Sequence, residues 1–252
     1  DAASAVEFYG VITSVTVTGG ARVGLSGGAL YDGTLTLDAG QALHVDSSGS
    51  LSNVVLNGDL VLRAYDGVGV YVSNGLTLNG IARVGRTDGS QWGGMYFYGT
   101  QTIDGTGSIV FGSHWANILL IETAATAATL GPNVTVQGAR GSLTTQYSDS
   151  SFVNQGTIAA DAGGRIDIGS RENGQYGNAG RLVNEGTLSA SNNGFLYVHT
   201  DTWSSTGPIT SMSGGNVTLI QSGSNSGPIT ANGGAVYLDG SWTSSGAITA
   251  SG

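Results

Sequence analysis

A four-residue pattern recurs through the second half of this 252-residue chain. Gly-x-(Ile/Leu)-(Thr/Ser/Ala) returns at intervals of 30, 21, 20 and 19 residues. Its glycines are Gly156, Gly186, Gly207, Gly227 and Gly246. The one long interval contains a polar segment, Gly169 to Gly180, which reads as an inserted loop. A period near twenty residues predicts one structural unit that is stacked many times.

Aliphatic residues occupy fixed positions within each unit. An aliphatic residue two positions after each glycine forms what we call the core column: Ile158, Leu188, Ile209, Ile229 and Ile248. Further apolar residues occur in i, i+2 pairs, such as Ile166 with Ile168 and Val217 with Leu219. This spacing places both members of a pair on one face of a strand. Each unit therefore offers about three short strands with an inward-facing side.

The N-terminal half repeats with different residues but a similar period. The set Val15, Val17, Gly20, Val23 and Leu25 recurs twenty positions later as Leu35, Leu37, Gly40, Leu43 and Val45. We therefore predict an all-β fold, a parallel β-helix (β-solenoid) of about 10–12 coils with roughly 20 residues per coil. We expect one continuous domain, with regular coils over 1–85, irregular, loop-bearing coils over 86–130, and regular coils over 131–252 with the polar insertion near 169–180. Because the last repeat has no polar cap, we also expect a fragment of a longer array.

Glycine is abundant, with 44 residues, and we expect it at positive-φ corners between strands. In particular, Gly207 and Gly227 are predicted to turn the chain, while Pro208 and Pro228 open the strands that follow. Proline is tolerated at the first residue of a strand because its missing N–H is not needed there.

Composition excludes several classes of function. With no Cys there is neither disulfide nor thiolate chemistry. The net charge of −9, with no Lys and the Arg residues scattered, argues against a nucleic-acid partner. No apolar run is long enough for a spanning helix, so membrane insertion by this segment is not expected. We expect an extracellular protein, or one on the outer cell surface of a bacterium, that is stabilised by repetition.

Aromatic residues cluster where the repeat is weakest. Trp92, Tyr96, Tyr98, His114 and Trp115 lie outside the register, and we predict that they form a surface aromatic patch that binds a ligand. By contrast, Trp203 and Trp242 share a column with Phe152 and Leu182, which favours core or corner packing. The segment from Gly169 to Gly180 is a second candidate for a recognition surface.

No catalytic or metal-binding motif is present. Asp161 and Asp167 fall in one repeat around Arg165, but scattered corner aspartates explain them better than a hydrolase pair. The three histidines, His44, His114 and His199, lack ligand spacing, so we predict no metal site and no cofactor. Calcium stays an open alternative, although GGRID at Gly163 to Asp167 is only a fragment of the calcium-binding nonapeptide.

Two stretches carry a family resemblance. VTVTGGARVGLSGGALYDGTLTLDAGQALHVDSSGSLSN, Val15 to Asn53, resembles the passenger repeats of self-associating autotransporter adhesins. FVNQGTIAADAGGRIDIG and LVNEGTLSASNNGFLYV resemble the repeats of large autotransporter and filamentous-haemagglutinin-like adhesins. The resemblance is one of pattern and covers most of the chain. It implies a right-handed β-solenoid displayed on or released from a Gram-negative surface, acting in adhesion or cell aggregation.

Two functional hypotheses follow. The first is a non-catalytic extracellular rod that mediates surface adhesion, aggregation or biofilm formation through its loops and faces. Its partners would be like molecules or the surface of a host or neighbouring cell, glycans included. The alternative is a carbohydrate-active β-helix: a polysaccharide-binding protein, a lyase or a hydrolase. A groove with two or three close carboxylates and an Arg, crossed by exposed aromatic rings, would favour the enzyme.

Overall fold

The computed structural model describes residues 5–8, 11–12, 15–18, 20–161, 163–170 and 180–252. These residues form short β-strands joined by turns, and they contain no helix. The strands are β1 (Ala5–Phe8), β2 (Val11–Ile12), β3 (Val15–Val17), β4 (Arg22–Leu25), β5 (Ala29–Leu37), β6 (Ala42–Val45), β7 (Gly49–Asn57), β8 (Asp59–Leu62), β9 (Val68–Leu78), β10 (Ile81–Val84), β11 (Gly93–Tyr98), β12 (Gln101–Asp104), β13 (Ser108–Phe111), β14 (Ile118–Ile121), β15 (Ala127–Leu130), β16 (Thr135–Gly138), β17 (Arg140–Thr145), β18 (Ser151–Asn154), β19 (Thr157–Ala160), β20 (Arg165–Gly169), β21 (Arg181–Asn184), β22 (Thr187–Ala190), β23 (Phe195–His199), β24 (Thr202–Ser205), β25 (Ile209–Met212), β26 (Asn216–Leu219), β27 (Ser222–Asn225), β28 (Ile229–Asn232), β29 (Ala235–Leu238), β30 (Trp242–Ser244) and β31 (Ile248–Ser251).

The strands stack in parallel into three faces. The first face is a 12-stranded sheet in the order β1-β4-β6-β8-β10-β13-β16-β19-β22-β25-β28-β31. The second face runs β2-β5-β7-β9-β11-β14-β17-β20-β23-β26-β29. The third face runs β3-β5-β7-β9-β12-β15-β18-β21-β24-β27-β30, so the long strands β5, β7 and β9 take part in both.

The predicted fold class is confirmed: the chain is an all-β parallel β-solenoid of about ten turns, with about 22 residues per turn. The right hand implied by the family resemblance stays a prediction. Successive strands of each face belong to successive turns, so nearly every backbone hydrogen bond of a strand joins residues about one turn apart in sequence.

The core column runs along the inside of the first face. Ile158 pairs with Leu188, Leu188 with Ile209, Ile209 with Ile229, and Ile229 with Ile248. The same column continues toward the N-terminus through Val136, Ile109, Ala82, Leu60, Leu43 and Val23. All of these are buried except Ile248, in the last strand described, which is 53% exposed. Like residues therefore stack on like residues along the whole face.

The repeat glycines lie in the turns between strands, as expected for Gly207 and Gly227, but close packing and not a positive φ explains them. None of the five has a positive φ. A Cβ on Gly207 would lie 1.9 Å from the carbonyl oxygen of Gly186, and one on Gly227 would lie 2.3 Å from that of Gly207. Only glycine lets consecutive turns approach this closely at the corner. Positive φ occurs elsewhere, for example at Asn74 and Gly75 (56° and 96°).

A polar ladder fills the corner beside these glycines. Two residues before each glycine, an Asn or Ser points inward, and four of the five are buried: Asn154, Asn184, Ser205 and Asn225. The Nδ2 atom of Asn154 donates to Oδ1 of Asn184 (2.8 Å), and Nδ2 of Asn184 donates to Oγ of Ser205 (2.9 Å). Further along, Oγ of Ser205 donates to the carbonyl oxygen of Gly207 (2.9 Å) and Nδ2 of Asn225 to that of Gly227 (2.7 Å). Every buried donor of this ladder therefore has an acceptor, which is how these polar side chains are tolerated inside. The Asn/Ser positions were visible in the sequence, but their inward direction was not recognised.

The turns within 86–130 continue all three faces but are longer. Ile81, Ser108 and Thr135 begin successive strands of the first face and are 27 residues apart, whereas Ile209 and Ile229 are 20 apart. The corner between the first and second faces holds five of the seven extra residues in one of these turns, over 85–92, and three in the next, over 112–117. The latter turn also lengthens between the second and third faces, over 122–126. Residues 121–128, whose composition is also compatible with a short helix, contain the last residue of β14, a connection and the first two residues of β15. No helix in the described part of the chain is long and apolar enough to cross a membrane.

Candidate functional site

The long corner loops bring four of the five predicted aromatic-patch residues into one cleft. Trp92 ends the 85–92 loop, Tyr96 faces outward from β11, and His114 and Trp115 occupy the 112–117 loop. The cleft has a volume of about 690 Å³ on the outside of the second face. Its described lining is Asp66, Trp92, Tyr96, His114, Trp115, Ala116, Ile118, Leu120, Glu122 and Gln146. Tyr98 is not among these residues.

Tyr98 lies beside the cleft in a row of tyrosines. Its ring centroid is 5.8 Å from that of Tyr71, which in turn is 5.3 Å from that of Tyr96. Tyr71 and Tyr98 are 38% and 43% exposed, so the row extends the aromatic surface beyond the cleft. Offset and tilted ring pairs at these separations are mutually stabilising.

Glycines let two of the cleft's rings pack closely against the sheet. A Cβ on Gly69 would lie 2.3 Å from Cε2 of Tyr96, and one on Gly94 would lie 2.8 Å from its Cζ and hydroxyl oxygen. The Tyr96 ring therefore covers two residues that are neighbours in β9 and β11. Similarly, a Cβ on Gly67 would lie 3.0 Å from Cζ2 of Trp92. The sequence signal was the alternation of glycine with larger residues in GVGVY and GGMYFY, a strand period that marks the outward side.

Strand β14 contributes an apolar floor. In ILLI, Leu119 and Ile121 pair with the buried residues Met95 and Phe97 and face the core. Ile118 and Leu120 alternate with them, face outward and line the cleft, yet they are only 4% and 7% exposed. Strand β14 is thus apolar on both sides, which is unusual for the outer surface of a solenoid and typical of a ligand-binding floor.

A buried asparagine anchors the loop that carries His114 and Trp115. Asn117 is fully buried, and its Oδ1 accepts a hydrogen bond from the backbone N–H of Gly93 (3.2 Å). Its Nδ2 donates to the carbonyl oxygens of Gly112 (3.2 Å) and Arg140 (3.0 Å). Asn117 therefore joins three successive turns at the corner. The His114 ring stacks on that of Trp115 at 5.7 Å, and its Nδ1 accepts a hydrogen bond from the N–H of Ala116 (3.0 Å).

Two carboxylates lie at opposite ends of the cleft. Oδ1 of Asp66 accepts a hydrogen bond from the N–H of Trp92 (3.3 Å), whereas the N–H of Glu122 donates to the carbonyl oxygen of Phe97 (2.9 Å). Trp92, which directly precedes β11, and Phe97 are five positions apart along the chain, or about 17 Å at about 3.3 Å per residue. Partial burial raises the pKa of the Glu122 carboxyl above its ordinary value. Burial, and then the charge of Glu122, raise the pKa of the Tyr98 phenol.

The other candidate residues lie away from the cleft. Asp167 forms an ion pair with Arg165 (2.7 Å), whose guanidinium carbon lies 4.8 Å from the centre of the Tyr197 ring. Trp203 is 3% exposed and packs over Gly223, while Trp242, in the last turn, is 36% exposed. The predicted loop from Gly169 to Gly180 lies, for residues 171–179, outside the described residues. Among the described residues, no group of three or more His, Asp or Glu side chains could hold a metal ion.

The arginines are less scattered than the sequence suggested. Arg22, Arg63, Arg83 and Arg86 line shallow grooves on the N-terminal part of the first face, beside His44. Arg22 pairs with Glu7 and Asp46, and Arg83 pairs with Asp59 (3.2 Å). Burial, and then the charge of Arg22, lower the pKa of the His44 imidazole. These pairings offset much of the positive charge of the cluster.

Comparison with known proteins gave no relative: no family model, no curated protein and no solved structure matches this chain.

Proposed function

We propose that this chain is a non-catalytic, extracellular rod of a bacterial surface that acts in adhesion, and that the aromatic cleft is its ligand-binding site. The observation that carries the proposal is the cleft itself. Aromatic rings seated on glycines, an apolar floor and a few polar groups converge at one place on the outside of an otherwise repetitive molecule. Concave, mainly apolar sites with a few placed polar groups are typical of ligand binding.

The solenoid supplies a rigid support for such a site. The 12 strands of the first face, at about 4.8 Å per strand, extend along a rod of roughly 50 Å. Each turn is bonded to its neighbours on all three faces, so the corner loops are presented from a stiff body. The resemblance of the repeats to those of bacterial adhesins supports the same role and the same location. The absence of Cys fits a rod that is stabilised by stacking.

A carbohydrate-active enzyme is the second candidate, and the pairing of carboxylates with aromatic rings in the cleft favours it. Glycosidases, however, place two carboxyl groups roughly 5–9.5 Å apart. Asp66 and Glu122 are attached at backbone levels about 17 Å apart along β11, and no Arg is among the described lining residues. This separation supports binding of a saccharide over its hydrolysis by these two groups.

The proposal can be tested with beads that carry the 252-residue chain. They are mixed with immobilised neutral and acidic polysaccharides, with bacterial cells and with one another, and adhesion and clustering are counted. We expect adhesion to at least one of these surfaces, and at least tenfold weaker adhesion when Trp92 and Tyr96 are both changed to Ala. Tyr237→Ala, which removes a 56% exposed ring in β29, is the matched control and should retain adhesion.

Two results would contradict the proposal. Release of new reducing or unsaturated ends from any soluble polysaccharide would show that the chain is an enzyme. Beads that neither cluster nor adhere to any polysaccharide or cell would remove the adhesive role.

A further inference from the structure

We infer that the cleft binds an oligosaccharide that carries no acidic groups, and that its own charges reject uronates and other anionic sugars. This inference rests on the proposed function, because it specifies the ligand of the proposed binding site. Nothing in the repeat pattern indicates it, and it depends on how Asp66, Trp92, Tyr96 and Glu122 are arranged.

Aromatic rings in the cleft provide surfaces on which a sugar can stack. Tyr96 packs closely against Gly69 and Gly94 and lines the cleft. Trp92 packs against Gly67 and lines the cleft as well. A flat aromatic face offers a large, rigid apolar area to the C–H side of a pyranose ring at low entropic cost. A Cβ at Gly69 or Gly94 would remove this arrangement by displacing the Tyr96 ring.

The length of the cleft calls for more than one sugar unit. It extends from Trp92 to Glu122, whose N–H is bonded to the carbonyl oxygen of Phe97, a distance of about 17 Å along β11. The Trp92 ring lies against Gly67 at one end, the Tyr96 ring lies against Gly94 two positions further along the chain, and Trp115 lies on the wall formed by the 112–117 loop. A single pyranose ring could not reach from Asp66 to Glu122, whereas an extended oligosaccharide can contact both carboxylates and the rings.

The polar groups of the cleft are acceptors or neutral groups. Asp66 and Glu122 supply carboxylate oxygens at the two ends, and Gln146 and His114 supply an amide and an imidazole. No Arg or Lys is among the described lining residues. Carboxylates accept hydrogen bonds from sugar hydroxyls, but they repel a ligand carboxylate or sulfate, and the repulsion is stronger in a partly desolvated cleft than in water. The net charge of −9 adds to this repulsion at longer range.

Matched pairs of neutral and carboxylated ligands test directly whether the cleft rejects anionic sugars. Cellohexaose, mannohexaose and chitohexaose are each titrated into the 252-residue chain by calorimetry, alongside derivatives of the same chains that carry carboxylates at C6. We expect at least one neutral hexasaccharide to bind, and its carboxylated derivative to bind at least tenfold more weakly.

Variants then assign the effect to the two carboxylates. In the double variant Asp66→Asn, Glu122→Gln, the neutral hexasaccharide should bind more weakly than to the wild type, because two charged acceptors of its hydroxyls become neutral amides. The difference in affinity between the neutral hexasaccharide and its carboxylated derivative should nevertheless shrink to about threefold or less. The control Asp201→Asn removes one charge from an exposed side chain outside the cleft. It should keep the full difference in affinity between the neutral and the carboxylated hexasaccharide.

The outcomes separate this inference from the proposed function. If the carboxylated derivative binds the wild type as tightly as the neutral sugar, the inferred rejection of anionic sugars is overturned, while the cleft remains a binding site. If no neutral hexasaccharide binds but coated beads still adhere, the adhesive function stands and the saccharide assignment fails.

Discussion

The turns that carry the cleft and the last turns of the chain have the same interior packing but differ in the length of their corner connections. In both regions, aliphatic residues stack in register along the first face, as at Ile109 and at Ile229. Between the first and second faces, however, the last turns use a three-residue connection, 213–215, whereas the cleft-bearing turns use 85–92 and 112–117. Stacking constrains the inward side chains, and the corners are free to lengthen. A solenoid can therefore gain a binding site without altering its core.

The largest effect on stability is expected for a substitution in the core column, which both regions share. Ile229→Asp would place an unpaired charge between Ile209 and Ile248, and we expect a loss of about 4 kcal/mol or more in the free energy of unfolding. Ser226→Asp, an exposed substitution at the adjacent corner, is the control and should change it by less than about 0.5 kcal/mol. Thermal unfolding followed by circular dichroism measures both. Equal melting of Ile229→Asp and wild type would mean that this column does not support the fold.

The next largest effect distinguishes two reasons for a corner glycine. Gly207→Ala would drive a Cβ into the carbonyl oxygen of Gly186, and we expect a cost of about 2 kcal/mol or more. Gly233→Ala is the matched comparison, because Gly233 has a φ of +64° but no atom closer than 3.8 Å to its added Cβ. It should cost only about 1 kcal/mol. If Gly233→Ala were the more damaging, backbone conformation and not close approach would govern these corners.

A smaller effect is expected for the corner ladder. Asn184→Ala would remove two buried hydrogen bonds, those with the amide of Asn154 and the hydroxyl of Ser205, at a cost of about 2 kcal/mol. Asn79→Ala removes a similar amide-to-amide bond, to Asn57, from an exposed ladder in the N-terminal half. There water can replace the partner, and we expect a cost of less than about 1 kcal/mol. Chemical denaturation of the two variants gives the comparison, which fails if both lose the same free energy.

The interior was predictable from the sequence, whereas much of the exterior was not. In a stack, each residue meets its own counterpart one period away, so the spacing of Ile209 and Ile229 alone specifies their contact. No such rule applies to Glu122 or Asp66, which line opposite ends of the cleft from connections that do not repeat from turn to turn. The repeat glycines were misinterpreted because a sequence does not distinguish a glycine required for positive φ from one required for close approach. Trp92, Tyr96, His114 and Trp115 were found because they break the repeat.

The smallest effects are expected from two carboxyls of the cleft-bearing turns, and they have opposite signs. Hydrogen bonds from Ser90 and the neighbouring Arg86 hold the pKa of Asp88, in the 85–92 loop, at about 2, below its unfolded value of 3.8. Its contribution to stability is therefore present above pH 3.8 and lost as the pH falls toward 2. Burial raises the pKa of Glu122, so its ionised form slightly disfavours the folded state at neutral pH, and that penalty disappears in acid.

Denaturant titrations between pH 2 and 7 should show that Asp88→Asn is less stable than wild type only at the higher pH. Glu122→Gln should be at least as stable as wild type at pH 7, and Ser90→Ala should reproduce part of the Asp88→Asn loss. A stability difference that is independent of pH for both carboxyl variants would contradict these assignments.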